Sequence, residues 1–558
     1  MNIPSTPQPF DVVIVGSGAS GGWAAKRFTE AGLRVAVLEA GRQLKDADYR
    51  EHVPASALKY RGLTKRPLAV RRPVQSGSYA VREWQADWFV DDLSEPYVDT
   101  SDPKFLWVRP RLVGGRTNVW GRESLRFSEY DLNAASYDGH GSNWPITYEE
   151  LVPYYELVEE YVGIQGMPEG LPELPDSKFQ PAMPMNCAET ALRTRIKAKL
   201  GRTMTQARTA NLTRPNRGRA ACHFCGPCEH GCVTHSYFNA SFTTMADAMA
   251  TGRLTLITGA MAYQVLVDPD TRRARGILYV DRTTHEPREI FGRVVALCAQ
   301  TQESTRILFN SRSRQDPNGL ANSSGLLGKG LMTHFSDSGA TGEMPEFSEK
   351  PSFGPRRPCF PLIVNFRNVP GGPKMPNFLR GYAYGTYLSN GPRLDAPGFG
   401  QSYKKAVAEA HPTQVEIGGW GECLRYDDNY VDVDPNTVDE WGIPVARIHL
   451  TPRENERAML KDMATAGAEM LEAGGCRNVQ EVHGIRGQAH EVGAARMGTD
   501  PKTSVLTPHQ NTHDIRNLFV LDGSGFPSVA WQNPTLTIMS LAVRAGDYIM
   551  GEFKRGNL

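Results

Sequence analysis

The chain has 558 residues, enough for two domains and a large core, and 40% of them are hydrophobic, which places it among globular proteins. Its 62 basic and 61 acidic residues leave a net charge of +1, and no Lys/Arg run is present, so no nucleic-acid partner is expected. Met1–Pro9 lacks the basic and then apolar pattern of a leader, and no apolar stretch of about 18 residues occurs, so the sequence predicts neither an export signal of its own nor a direct membrane span.

The chain opens on Asp11–Val15, an apolar run that stops on Gly16 and reads as a buried parallel strand, and Trp23–Ala31 continues as its crossover helix. The turn between them, with Gly16, Gly18, Ser20 and Gly21, has the form of a phosphate cradle. Gly16 allows the tight turn, Gly18 lets backbone approach a pyrophosphate, and Gly21 lets helix and strand pack closely, while the helix N-terminus offers free N–H groups to an anion. A second strand, Leu33–Leu38, delivers Glu39, whose carboxylate can accept the hydroxyls of an adenosine ribose. This unit alone does not choose between NAD and FAD.

Residues 42–104 mix charges, aromatics and prolines and read as irregular cover. In Arg109–Gly121 the adjacent Gly114 and Gly115 imply that something large approaches the backbone, a tight turn being the plainer alternative. Residues 146–200 read as helical, with Thr147 and Glu150 spaced as a capping box. Strands are predicted at Leu254–Ile257, Ala262–Asp268 and Arg275–Asp281. Together they suggest a hairpin sheet that returns through Arg293–Ala299 to the parallel sheet, with Val265 near the adenine end. Ser304–Asn310 begins a helix. Beyond it come the strands Leu362–Phe366, Val415–Ile417 and Val445–Leu450, and then the helix Glu454–Ala473.

Cys222, Cys225, Cys228 and Cys232 form a C-x2-C-x2-C-x3-C run, the spacing of bacterial ferredoxins, with Val233 where a proline is customary. Thiolates packed this tightly suit a 3Fe-4S or 4Fe-4S cluster better than zinc, which favours two separated pairs. Reduced cysteines packed in a structural loop are the alternative.

At the C-terminal end, His490 precedes a small-residue turn, a strand closes on Asp522 and Gly523, and Asn533 and Thr535 open a long helix, Ile538–Met550. Oxidation of an alcohol by hydride transfer needs a base for the hydroxyl proton and a hydrogen-bond partner for the oxygen, which a histidine and an asparagine supply. A satisfied structural histidine and a helix N-cap are the other readings of His490 and Asn533.

The cradle, the Gly114–Gly115 loop, the 294–310 segment and the 490–545 tail together resemble, in order and spacing, the glucose-methanol-choline (GMC) family of FAD oxidoreductases. The resemblance implies an α/β fold, a Rossmann-like FAD-binding domain with a second sheet-containing substrate domain. Residues 1–336 and 481–558 would form the first, with covering segments 42–104 and 137–200, and residues 337–480 the second. It implies His490 as catalytic base with Asn533 as its partner, Asp522 and Gly523 near the flavin phosphate and ribityl chain, and Gly114, Gly115 and Asn118 beside the isoalloxazine. Some relatives attach flavin through a histidine in the loop matching Arg116–Trp120; this chain has none there, so FAD is expected to be non-covalent.

Within the family the chain is most similar to the catalytic flavoprotein subunits of bacterial sugar dehydrogenases, of the gluconate, fructose and glucoside 3-dehydrogenase type. That implies oxidation of a sugar or glycoside hydroxyl, a 3-keto product being favoured, and export of electrons through the cysteine cluster to a small accessory subunit or a cytochrome. It also implies a periplasmic location by co-export with a signal-bearing partner, the cytoplasm being the alternative. A 3-oxidase that returns electrons to oxygen, with structural cysteines, and a flavin-binding redox sensor without turnover are the competing readings. Trp420, Tyr426 and Trp441 are candidates for the substrate wall, and Gln300, where many relatives have glycine, marks an altered turn.

Overall fold

The computed structural model describes residues 9–62, 65–349, 357–392 and 396–558. The opening unit is β1 (Phe10–Val15), α1 (Ala19–Glu30) and β2 (Val35–Glu39), so the helix starts inside the glycine turn rather than after it. Val12, Val13, Ile14, Val35, Ala36 and Val37 are fully buried, as strands covered on both faces must be. The strand Pro287–Leu297 lies on the other side of β1, parallel to it through Val294–Leu297, and Leu518–Val520 adds a further parallel strand beside it.

Two neighbouring strands divide differently from the sequence expectation. Leu254–Thr258 is no part of a hairpin but pairs parallel with β2, extending the nucleotide-binding sheet at its edge. The hairpin proper consists of Ala260–Val267 and Ala274–Asp281, which is antiparallel to the outer half of Pro287–Leu297. Periodicity detects each strand but not its partner, because pairing is decided by where the preceding connection returns.

The second sheet is antiparallel, in the order Arg477–Val482, His334–Glu349, His411–Glu422, Tyr382–Ser389, Pro361–Ile363 and Met204–Gln206, with Arg486–Gly487 paired to the start of His334–Glu349. The helix Glu454–Ala473 has the predicted bounds and packs on this sheet. Its approach depends on two missing side chains: a Cβ at Gly419 would lie 2.1 Å from Met463 Sδ, and one at Gly421 would lie 2.3 Å from Met459 Sδ. The predicted helical stretch 146–200 is two helices, Tyr148–Val162 and Cys187–Leu200, with irregular chain between. Thr147 Oγ1 accepts from the Glu150 N–H at 3.2 Å, while the Glu150 carboxylate pairs with Arg544 instead of closing the box. Among the described residues no helix is long and apolar enough to cross a membrane.

Candidate functional site

The C-terminal ends of the parallel strands, the second sheet and the loop 115–123 enclose a cavity of about 770 Å³. Its nucleotide end is the glycine turn. Gly16 has φ +93° and no room for a side chain, since a Cβ would lie 2.5 Å from the Cys298 carbonyl oxygen. A Cβ at Gly21 would lie 1.9 Å from the Gly16 carbonyl oxygen, so that glycine serves helix–strand packing and does not line the cavity. Gly18 is different: the nearest atom to a Cβ there is 3.9 Å away, leaving its backbone open to the cavity beside Ser20. Glu39 closes this end, accepting hydrogen bonds from the Ser17 hydroxyl at 2.5 Å and the Gly41 N–H at 2.8 Å.

Three of the candidate positions face elsewhere. Gly114 is a packing glycine at φ +90° whose Cβ would meet Asn239 Oδ1 at 2.7 Å, whereas Gly115 faces Gly18 and lines the cavity. Asn118 is turned into its own loop: its amide donates to the Val113 and Gly115 carbonyls at 3.0 and 2.8 Å, and its Oδ1 accepts from Asn239 at 2.9 Å. Val265 lies too far along its strand and gives its N–H to Ser311 Oγ at 2.8 Å; Ala260, Met261 and Ala262 line the cavity instead. A loop of left-handed glycines redirects its side chains in a way that spacing alone does not reveal.

Asp522, Gly523, Asn533 and Thr535 all line the cavity. Burial pushes the Asp522 carboxyl up, against the hydroxyls of Ser304 and Ser524 that donate to it. The terminal helix, Thr535–Lys554, begins there without a side-chain cap, as does α1, so both present unpaired N–H groups. Asn533 Oδ1 is buried without a partner. An open glycine backbone, an acid at the end of β2, two bare helix N-termini and an orphaned amide oxygen fit a dinucleotide with a polar ring system.

Between the two sheets stands His490. Its Nε2 lies 3.2 Å from Asn533 Nδ2 and its Nδ1 lies 2.9 Å from His334 Nδ1, while His334 Nε2 lies 2.8 Å from the Ala530 carbonyl oxygen. Burial, followed by the Arg116 charge, pushes the His490 imidazole down to about 4, so it is a neutral base at ordinary pH. Arg116 also holds the segment in place, forming a bidentate pair with Glu491 and donating to the Ala489 carbonyl at 3.2 Å. His334 had no local sequence signal. It starts a strand in the second sheet, and only the fold brings it to His490.

The far wall is made by Tyr79, Glu123, Phe360, Tyr387 and Trp420. Burial pushes the Glu123 carboxyl up to about 7, with the neighbouring Arg122 opposing the shift. Of the three sequence candidates only Trp420 belongs here, with its indole N–H on the Trp531 carbonyl at 2.9 Å. Tyr426 donates to Glu456, and Trp441 lies under Arg282, 5.0 Å from the guanidinium.

Gln300 occupies φ +83° and ψ 156° at the cavity edge, a region nearly reserved for glycine, at a cost of about 1–3 kcal/mol. Replacing Gln300 with glycine is expected to stabilise the protein by about 1 kcal/mol after the entropic cost of glycine, read as a higher urea midpoint. An unchanged or lower midpoint would mean that its side chain holds the turn.

Cys222, Cys225, Cys228 and Cys232 are free thiols. Burial and then the other three sulfurs push Cys225 up to about 12, so those three lie close enough to oppose its ionisation. Among the described residues, the ligand atoms within 4.8 Å of one another are those of His52, His223 and Cys225, and no trio of the cysteines is that close. The loop also reaches the cavity, which Gly226 and Glu229 help to line. Tyr237, packed with Cys228 and Cys232, donates its hydroxyl to the Asn118 carbonyl at 2.8 Å and so ties the thiols to the loop beside the cradle.

Residues 11–336 and 426–542 match the family described as GMC oxidoreductase, whose members are FAD-binding flavoproteins acting on CH–OH groups. The chain is 30% identical to 2-methyl-1,2-propanediol dehydrogenase of Mycolicibacterium austroafricanum over 97% of its own length and 95% of the relative's. It is 26% identical to the fructose dehydrogenase large subunit of Gluconobacter japonicus, covering 98% of each. Pyridoxine 4-oxidase from Mesorbium loti has the same fold, with a TM-score of 0.64 at 18% identity, covering 97% of this chain and 99% of that one. With its fold, its cavity and the match over most of its length, the chain belongs to the GMC oxidoreductase family.

Proposed function

We propose that the protein oxidises a secondary hydroxyl of a sugar or glycoside to a ketone, a 3-keto product being favoured, and passes the electrons out through an iron–sulfur cluster. The observation that carries the oxidation is the His490–Asn533 pair at the cavity, a neutral base beside an amide. His490 Nε2 takes the hydroxyl proton, and Asn533 holds the substrate oxygen. FAD bound in the cavity supplies the acceptor for the carbon-bound hydride. Gly16, Gly18, Ser20 and Glu39 would hold its nucleotide end, and Gly115, Asp522, Gly523 and Thr535 the rest, non-covalently because Arg116–Trp120 contains no histidine. The second sheet, mostly within residues 337–480, supplies the substrate wall.

Two observations support the cluster. Burial and the three neighbouring sulfurs disfavour the Cys225 thiolate, a conflict that bound iron would relieve. The loop that carries them also borders the cavity. A small accessory subunit and a cytochrome would take the electrons, in a periplasmic complex exported with a signal-bearing partner. The fructose dehydrogenase relative is itself named as a large subunit.

Anaerobic purification, a visible spectrum and assays of iron and acid-labile sulfide test this reading. Flavin with stoichiometric iron and sulfide, bleached by a sugar, is the expected result. Flavin alone, with peroxide released in air, would replace it with the oxidase. Flavin that no sugar or alcohol bleaches would leave a redox sensor.

A further inference from the structure

We propose that His334 is a positioning residue that sets the tautomer of His490, so that the Ala530 carbonyl, acting through His334, presents the Nε2 lone pair of His490 to the substrate. This rests on the reading of His490 as the base. A carbonyl oxygen only accepts, so His334 Nε2, 2.8 Å from it, carries a proton. His334 is fully buried, which favours the neutral ring, and a neutral imidazole has a single N–H. Its Nδ1 is therefore a bare lone pair. At 2.9 Å from that lone pair, His490 Nδ1 must be the donor. The His490 proton is thus on Nδ1, and Nε2 is free to accept, first from Asn533 at 3.2 Å and then from a substrate hydroxyl.

The other tautomer of His490 places two lone pairs against each other at His334 and two N–H groups against each other at Asn533. Rotating the Asn533 amide removes the second conflict but not the first, so the decision lies with Ala530. That carbonyl is itself held by an unusual backbone, since Ala530 has φ +57° and is buried. The chain of bonds also ends there. A second proton on His334 would have no acceptor beyond the carbonyl, so His334 braces His490 without relaying its proton, which leaves through the cavity.

Asparagine and glutamine at position 334 separate the two halves of this function. His334→Asn keeps an acceptor near the place of Nδ1 and loses the donor to Ala530, whereas His334→Gln keeps a donor near the place of Nε2 and loses the acceptor. His334→Leu loses both. The first measurement needs no substrate: 15N spectra of histidine-labelled protein, with His490 assigned by the signal lost in His490→Gln. A protonated Nδ1 and a bare Nε2 on His490 in the wild type, lost in His334→Gln and kept in His334→Asn, are expected. A protonated Nε2 on wild-type His490 overturns the proposal.

The second measurement is anaerobic bleaching of bound flavin by an alcohol that bleaches the wild type. His334→Asn should stay within about tenfold, while His334→Gln and His334→Leu should fall by about 10²–10⁴-fold with KM and flavin content little changed, as a wrong tautomer does. A purely structural role would instead favour glutamine, the closer in volume, and would follow flavin loading; bleaching by His334→Gln at the wild-type rate overturns the proposal. Should no alcohol bleach the wild type, the functional reading falls while the spectra still decide the tautomer.

Discussion

Replacing His490 with alanine is expected to slow reduction of the bound flavin by substrate about 10²–10⁴-fold, the contribution of a positioned general base. Flavin content should not change, because the cradle is built from other segments, Gly16–Ser20 and Glu39 among them. Stopped-flow bleaching of the visible flavin band reads both quantities in one experiment. The pH dependence follows from the same site. With the imidazole pushed down to about 4, the base form persists to low pH, so the bleaching rate should be level at neutral pH and lost only as pH falls through about 4. The sign is fixed: protonation fills the Nε2 lone pair, so activity disappears toward acid and not toward alkali. The charges that face His490 are Arg116 and the Glu491 carboxylate paired with it, with His334 beyond Nδ1. An inflection near 6.5, the ordinary histidine value, would mean that burial does not control this group.

The second large effect is expected from the cysteine loop. On the proposed cluster reading, exchanging Cys228 and Cys232, the two buried members of the run, for alanine should remove iron and sulfide and reduce turnover with an external one-electron acceptor by at least about tenfold. Anaerobic bleaching of the flavin by substrate should continue near the wild-type rate, because neither thiol lines the cavity. Arg122 stands on the cavity side of the loop, its guanidinium pushed up by Cys228 and Glu123 together, and it would compensate the charge of an anionic cluster. Unchanged iron content and unchanged acceptor turnover in the double variant would return these residues to a structural role and favour electron return to oxygen.

Much of the fold was legible because its signals are local. The apolar run Asp11–Val15, the glycines after it and the acid at Glu39 specify the β1–α1–β2 unit, since a parallel strand buried on both faces and a turn with φ +93° at Gly16 each demand particular residue types. The helix Glu454–Ala473 was readable from its period. The strand Leu254–Thr258 was readable as a strand, but its parallel partner was not, because the pairing depends on a connection of more than two hundred residues.

The site divides along the same line. Sequence determined the family pattern and the crowding of four cysteines within one loop, both statements about residue type and spacing, and through the family resemblance it also implied the pairing of His490 with Asn533. Tertiary structure decided which way the side chains point and what stands beside them. It turned Asn118 inward, moved Val265 away from the cavity, removed Tyr426 and Trp441 from the wall and brought Glu123 and Tyr387 into it. It also placed His334, from the start of an interior strand of the second sheet, between His490 and the Ala530 carbonyl. No spacing rule reaches that contact, because the tautomer of a histidine is set by the hydrogen bond on its far nitrogen, and that partner is chosen by how two sheets and a terminal loop pack.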